Sequence, residues 1–256
     1  MSEERKQQSM KVLGIDSSGL VASVAVAEDG ILLGEYTTNY KKTHSQTLLP
    51  MLDELKKMIE LDLSTIDAIA ISSGPGSFTG LRIGSATAKG LGLALEKPLV
   101  EVPTLEGLAY NLYSRTSLVC PIMDARRNQV YTGIYEFVEA PLQGEEVAAG
   151  EHGYELRAVM EQTAMDVREL LAELEKLNRK VVFLGDGVAV YKNVIRKECP
   201  VPFSFAPAHM NAQRAGSIAA LGEVYFARGK VVPAEAHQPE YLRKSQAERE
   251  KEERGQ

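Results

Sequence analysis

Apolar positions in the first forty residues fall in three short runs, 12–17, 21–27 and 31–37, parted by Ser18-Gly19 and Asp29-Gly30. Runs rich in β-branched residues between such hairpin pairs predict an antiparallel meander. The period then changes. Leu48, Met51, Leu52, Leu55, Met58 and Ile59 recur at helical spacing with charges on the other side, which predicts a helix to about residue 60 capped by Thr43 or Ser45. Pro50 either bends this helix or lies in its first turns. Residues 66–71 form an unbroken apolar run of strand length, and residues 78–95 suit a helix. Between them lies Ser72-Ser73-Gly74-Pro75-Gly76-Ser77, a turn sequence; a strand at 99–102 is stopped by Pro103.

The second half repeats this order. After a helix from Thr104 to about residue 113, runs 118–123 and 130–137 make a hairpin around Ala125-Arg126-Arg127-Asn128, and 154–162 supplies a third strand. Thr163, with Asp166 three residues on, is expected to cap a helix whose stripe is Val167, Leu170, Leu171, Leu174 and Leu177. A strand at 181–184 then runs into Gly185-Asp186-Gly187, which takes the place of the first glycine turn. One unit duplicated is the simplest reading. The expected division is a first domain at 10–103 and a second at 104–243, with an Ala- and Gly-rich helix at 211–228 suited to crossing back to the first. Residues 1–9 are polar and unpatterned and are set outside the fold as a disordered extension. Residues 244–256 read as a charged, solvated tail.

With 256 residues and 44% hydrophobic content the chain can bury two modest cores. Its 35 acidic residues against 29 basic ones make it a poor nucleic-acid trap as a whole, so RNA contact has to come from a local patch or a partner. Cys120 and Cys199 stand far apart without CxxC spacing, which fits two buried thiols in a reducing cytosol better than a disulfide or zinc site. No stretch reads as a membrane span or a signal peptide. A cytoplasmic protein is expected.

Two readings stand for the first glycine turn. Gly74, Gly76, Ser77 and Gly80 could aim backbone amides at a phosphate at the start of the following helix, or simply make a tight connection, since the Lys-Ser/Thr ending of a P-loop is missing. The order of strands and helices resembles the actin-like ATPase superfamily, in which the aspartate after the first strand helps hold a metal with the nucleotide phosphates; Asp16 stands at that position, or it simply orders its own turn. In a duplicated fold Asp16 and its counterpart Asp124 would flank an interdomain cleft. His44 would need a second histidine four residues on for a helical metal pair, and position 48 is Leu. No metal site is expected. Arg126 and Arg127 either touch phosphate or are solvated. On the 78–95 helix Gly80, Leu81, Gly84, Ala88, Leu91, Gly92 and Leu95 form one apolar side and Ile83, Ala86, Gly90, Leu93 and Ala94 a second, which implies two packing partners, the sheet on one side and either the neighbouring helix or another subunit on the other.

The strand–helix order resembles the actin-like ATPase and ribonuclease H-like fold, a duplicated mixed sheet flanked by helices in an α/β class. More specifically, Gly14-Ile15-Asp16-Ser17-Ser18, His44 to Pro50, Ser73 to Gly84, Met123-Asp124-Ala125-Arg126-Arg127 and Pro239-Glu240-Tyr241-Leu242-Arg243 together resemble the bacterial TsaB (YeaZ) family over residues 10–243. The resemblance implies a non-catalytic scaffold in the complex that makes threonylcarbamoyladenosine beside the anticodon of transfer RNA. It implies a TsaD-like catalytic partner, a TsaE-like ATPase joining the pair, a homodimer when alone, and transfer RNA only through the complex. It also implies no tightly bound cofactor, with ATP or ADP entering in the complex. The catalytic relative carries an HxxxH pair where this chain has His44 and Leu48. The two helices around the glycine turn are the expected partner surface, through Leu48, Met51, Leu52, Leu55, Ile83, Gly84, Ala86, Gly90 and Leu91. The rival readings are a weak ATPase using Asp16 and the glycine turns, or a glycoprotease-type metalloprotease.

Overall fold

A computed structural model describes residues 9–40, 43–141 and 152–243; most of the expected N-terminal extension and all of the charged tail at 244–256 lie outside the described residues. Three strands, β1 (Lys11–Asp16), β2 (Ala22–Glu28) and β3 (Ile31–Thr38), form the meander read from the sequence. Helix α1 (His44–Met58), strand β4 (Ala68–Gly74), helix α2 (Phe78–Leu95) and strand β5 (Leu99–Pro103) follow. The sheet order is β3-β2-β1-β4-β5, with β4 parallel to β1.

The second set is α3 (Thr104–Tyr110), β6 (Leu118–Asp124), β7 (Gln129–Pro141), β8 (His152–Asp166), α4 (Val167–Leu177), β9 (Val181–Leu184), α5 (Gly187–Glu198), β10 (Phe203–Phe205) and α6 (Ala215–Ala227). Its sheet order, β10-β9-β6-β7-β8, is the first order repeated strand for strand, with β9 parallel to β6. The duplication is real. Each half is a mixed five-stranded sheet flanked by helices, the actin-like, ribonuclease H-like architecture.

Contacts divide the chain into two units that interleave: the last helix goes with the first unit, as its Ala- and Gly-rich sequence suggested, and residues 74–78 go with the second, across the break expected at 103/104. One unit takes the chain up to Ser73 with Thr79–Val102 and Arg214–Pro239; the other takes Gly74–Phe78, Pro103–Gln213 and the chain from Glu240. The reason is the helix that ends each set. Helix α6 packs on β1, β2 and β3, where Ala25 and Ala27 meet Ala215 and Ala219. A Cβ on Gly14 would run into the Ala215 carbonyl, so glycine there sets how closely this helix can lie on the sheet. Leu13, Ile15, Val24, Val26, Ile69 and Ile71 point to the opposite face and pack with Leu48, Leu52 and Leu55 of α1 and Ala88 of α2. In the second unit Leu118, Cys120 and Ile122 face α4 and α5, while Val119 and Met123 face Leu105, Leu108 and Leu112 around α3. Alternation along β1 and β6 thus fills two layers from one strand.

Two local readings are corrected. Thr163 does not cap α4 but pairs with Thr132 inside β8; Asp166 is the cap, its carboxylate accepting from the Arg168 amide while Glu169 reaches back to the Asp166 amide. Asp-x-x-Glu serves as a capping box as Thr-x-x-Asp was expected to. Strand β10 was not foreseen, since three residues carry no period to read.

Candidate functional site

At the end of β1 the chain buries a carboxylate. Asp16 is 1% exposed, and its Oδ1 accepts from the Ser18 amide at 2.9 Å and the Ser18 hydroxyl at 2.7 Å. Burial pushes its carboxyl up to about 6, against the opposing pull of the Ser18 hydrogen bonds, the nearby His44 and the Ser72 hydroxyl. Oδ1 is therefore spent on its own turn. Beside it, Ser17 Oγ donates to the Gly80 carbonyl at 2.8 Å, and a Cβ at Gly80 or Gly84 would strike Ser17. These two glycines let the first turns of α2 rest on the β1 turn. His44 Nε2 lies 2.9 Å from the Gly19 carbonyl, so that nitrogen carries the hydrogen; Nδ1 is buried with no partner among the described residues. Leu48, one helical turn on, is 1% exposed in the core.

The turn that starts α2 is assembled from elsewhere in the sequence. Gly74 has φ +128°, its amide donates to Thr104 Oγ1 at 3.1 Å, and a Cβ on it would collide with the Glu240 carbonyl oxygen. The segment after Pro239 lies across it. Tyr241 stacks on Phe78 with ring centroids 4.9 Å apart, Gln162 Nε2 donates to Glu240 Oε2 at 2.8 Å, and Arg243 Nη1 donates to the Ala125 carbonyl at 2.9 Å. Of the proposed phosphate contacts, Gly74 has its amide committed and Gly80 is buried under Ser17, while Gly76 and Ser77 keep surface. Sequence reasoning found the C-terminal motif but not its role. The signal was Gly74 itself, a glycine with φ > 0 where another backbone comes close.

The equivalent position in the second unit is built differently. Asp124 Oδ1 accepts from the Arg126 amide at 2.9 Å and from the Tyr191 hydroxyl at 3.3 Å, and its Oδ2 lies 3.2 Å from Arg126 Nη1. Asp186 Oδ1 accepts from the Asp124 amide, and burial raises the Asp186 carboxyl. Burial, with the Asp124 charge behind it, pushes the Tyr191 phenol to about 12. Arg126, Arg127 and Asn128 hold φ of 65°, 55° and 62° in succession. Asn tolerates that region, but each arginine gives up roughly 1–2 kcal/mol to stay there.

For a partner surface the structure corrects the list. Leu48, Leu52, Leu55 and Gly84 are buried within the unit's own core, and Met51, Ile83 and Leu91 are half-buried against it. Ala86 and Gly90 remain exposed on α2, with Leu93 57% exposed beside them in the helix. A Cβ on Gly90 would meet nothing within 4 Å. Among the described residues no three His, Cys, Asp or Glu side chains converge as a metal cage, and no helix is long and apolar enough to cross a membrane. Cys120 is buried, its thiol pushed up to about 12 by burial, whereas Cys199, expected buried, is only partly so.

A family model described as TsaD, tRNA N6-adenosine threonylcarbamoyltransferase, matches residues 32–251. The chain is 32% identical over 241 residues to the tRNA threonylcarbamoyladenosine biosynthesis protein TsaB of Bacillus subtilis (strain 168), covering 93% of this chain and 96% of that protein. It is 30% identical over 240 residues to the protein of the same name from Escherichia coli (strain K12), with the same coverage. Among solved structures, YeaZ from Pseudomonas aeruginosa superposes with a TM-score of 0.70 at 27% identity, covering 91% of this chain and all of that one.

Proposed function

Because this chain belongs to the TsaB family of transfer-RNA threonylcarbamoyladenosine biosynthesis proteins, we propose that it is a non-catalytic subunit that binds a TsaD-like catalytic chain. A TsaE-like ATPase then joins the pair, and transfer RNA and ATP or ADP enter through the assembled complex, in the cytoplasm. Alone, the chain forms a homodimer. The observation that carries this reading is Leu48: the residue one helical turn after His44 lies in the core, 1% exposed, where a histidine pair would need a second imidazole.

The surroundings support it. Asp16 is 1% exposed with its Oδ1 taken by Ser18, and Gly74 spends its amide on Thr104, which counts against a nucleotide-hydrolysing site of the chain's own. The exposed strip of α2, Ala86, Gly90 and Leu93, is small and apolar and suits a close helix contact with the partner.

The test is a modification assay with purified chain, threonylcarbamoyl-adenylate and transfer RNA, with and without TsaD-like and TsaE-like subunits. Product is expected only with the partners, and the chain is expected to co-elute with the TsaD-like subunit. Modification by the isolated chain would overturn the reading.

A further inference from the structure

Among the described residues, the β6–β7 turn is the one place where two cations are kept in a costly backbone conformation. Arg126 and Arg127 are both exposed, Arg126 with 84% of its side chain open to solvent, and both hold a left-handed φ that glycine would adopt freely. A hairpin under selection for stability alone would carry Gly or Asn there.

The turn is also held from several sides. The Ala125 amide donates to the Gln129 carbonyl at 2.9 Å, the Gln129 amide to the Arg126 carbonyl at 3.1 Å, and the Val167 amide to the Asn128 carbonyl at 3.4 Å. Arg243, at the far end of the described chain, donates to the Ala125 carbonyl. Of the neighbouring carboxylates, Asp124 takes the Arg126 amide on Oδ1 and pairs with the Arg126 guanidinium through Oδ2 at 3.2 Å, a surface ion pair that a phosphate can replace at little cost, while Asp186 takes the Asp124 amide and Asp166 the Arg168 amide. The backbone therefore fixes where the arginines start, and little backbone entropy remains to be lost when they bind.

We propose that this turn is a contact for a phosphodiester of transfer RNA, Arg127 and Arg126 supplying guanidinium hydrogen bonds to non-bridging oxygens when the chain sits in its complex. The proposal rests on the subunit reading above. Phosphate matches the planar fork of arginine, and transfer RNA is the polyanion of this pathway. With a net charge of −6 the chain as a whole repels RNA, so binding must be local to such a patch. No base is read, since a phosphate contact positions without specifying sequence.

The experiment uses the full chain with TsaD-like and TsaE-like subunits and an unmodified transfer-RNA transcript, titrated across a range of salt. R126Q/R127Q is expected to assemble as the wild type does and to bind transfer RNA about tenfold more weakly, with the slope of log affinity against log salt reduced by about 1 per arginine. R126K/R127K should recover part of the affinity. R127G separates function from structure: relieving the left-handed cost should raise the melting temperature by about 2–4 °C while transfer-RNA affinity falls. Unchanged affinity and salt slope in R126Q/R127Q would overturn the proposal, as would loss of complex assembly, which would assign the turn to an acidic protein partner. If the wild-type chain fails to join the catalytic subunit, the subunit reading is what fails. The turn is then judged by transfer-RNA binding of the full chain alone at low salt, where a variant equal to wild type overturns it.

Discussion

Asp16 shows how burial at a single residue becomes a measurable property. Its carboxyl is raised from 3.8 to about 6, mainly by desolvation. Between those values the folded chain keeps a proton that the unfolded chain has released, so stability falls as pH rises from about 4 to 6 and is level above. The total is about 3 kcal/mol. Asp16→Asn keeps an oxygen for the Ser18 amide and hydroxyl but cannot titrate. Urea unfolding of the variant should lose this slope, so that its stability relative to wild type is greater at pH 7 than at pH 4.5. An identical slope in both would mean the carboxylate is not desolvated as the geometry has it. Glu35 shows the opposite balance: burial raises it, but the Arg214 guanidinium and the Gly216 amide outweigh burial and hold it below the usual range.

Helix α2 has two faces with different tasks. Gly80, Leu81, Gly84, Ser85, Ala88 and Gly92 are buried, while Ala86, Gly90, Leu93 and Ala94 are exposed. A carboxylate at position 84 would be driven against the Ser17 hydroxyl and Ile71. Gly84→Glu should therefore cost several kcal/mol and leave little folded protein, because an unpaired charge is buried. Ala86→Glu should change the melting temperature by no more than about 2 °C and, if the exposed strip meets the catalytic subunit, abolish co-elution with it. A folded Ala86→Glu chain that still binds that subunit would remove α2 from the interface. The division was legible in sequence because helical period assigns faces without knowing what covers them. On helix α1 the same period shows an apolar stripe without showing its cover: Leu48, Leu52 and Leu55 meet the sheet of their own unit and not the expected partner.

At the scale of the molecule the last helix belongs with the first strands. Arg214, just before α6, pairs with Glu35 of β3, the Ala215 amide donates to Ser23 Oγ, and Glu223 accepts from the Gly30 amide. A chain cut after residue 213 would leave Gly14, Ala25 and Ala27 of the first sheet uncovered, and should fail to give a soluble cooperative domain; adding residues 214–239 as a separate peptide should recover part of the folded signal in circular dichroism. Full stability of the truncated chain would show that α6 is dispensable. The sequence by itself determined the elements, their order and the duplication, because alternation, helical period and turn residues act over a few positions. It also carried the family motifs, including the glycine turn and the closing Pro239 to Arg243 segment. The sequence also suggested that the last helix crosses back to the first unit; only tertiary structure decided that Gly74 receives the Glu240 backbone, that Asp16 is buried, and that Arg214 pairs with Glu35. The burial of Asp16 and the two pairings depend on groups far apart along the chain, as Gly74 meets Glu240 and Glu35 meets Arg214, and no local period records such a contact.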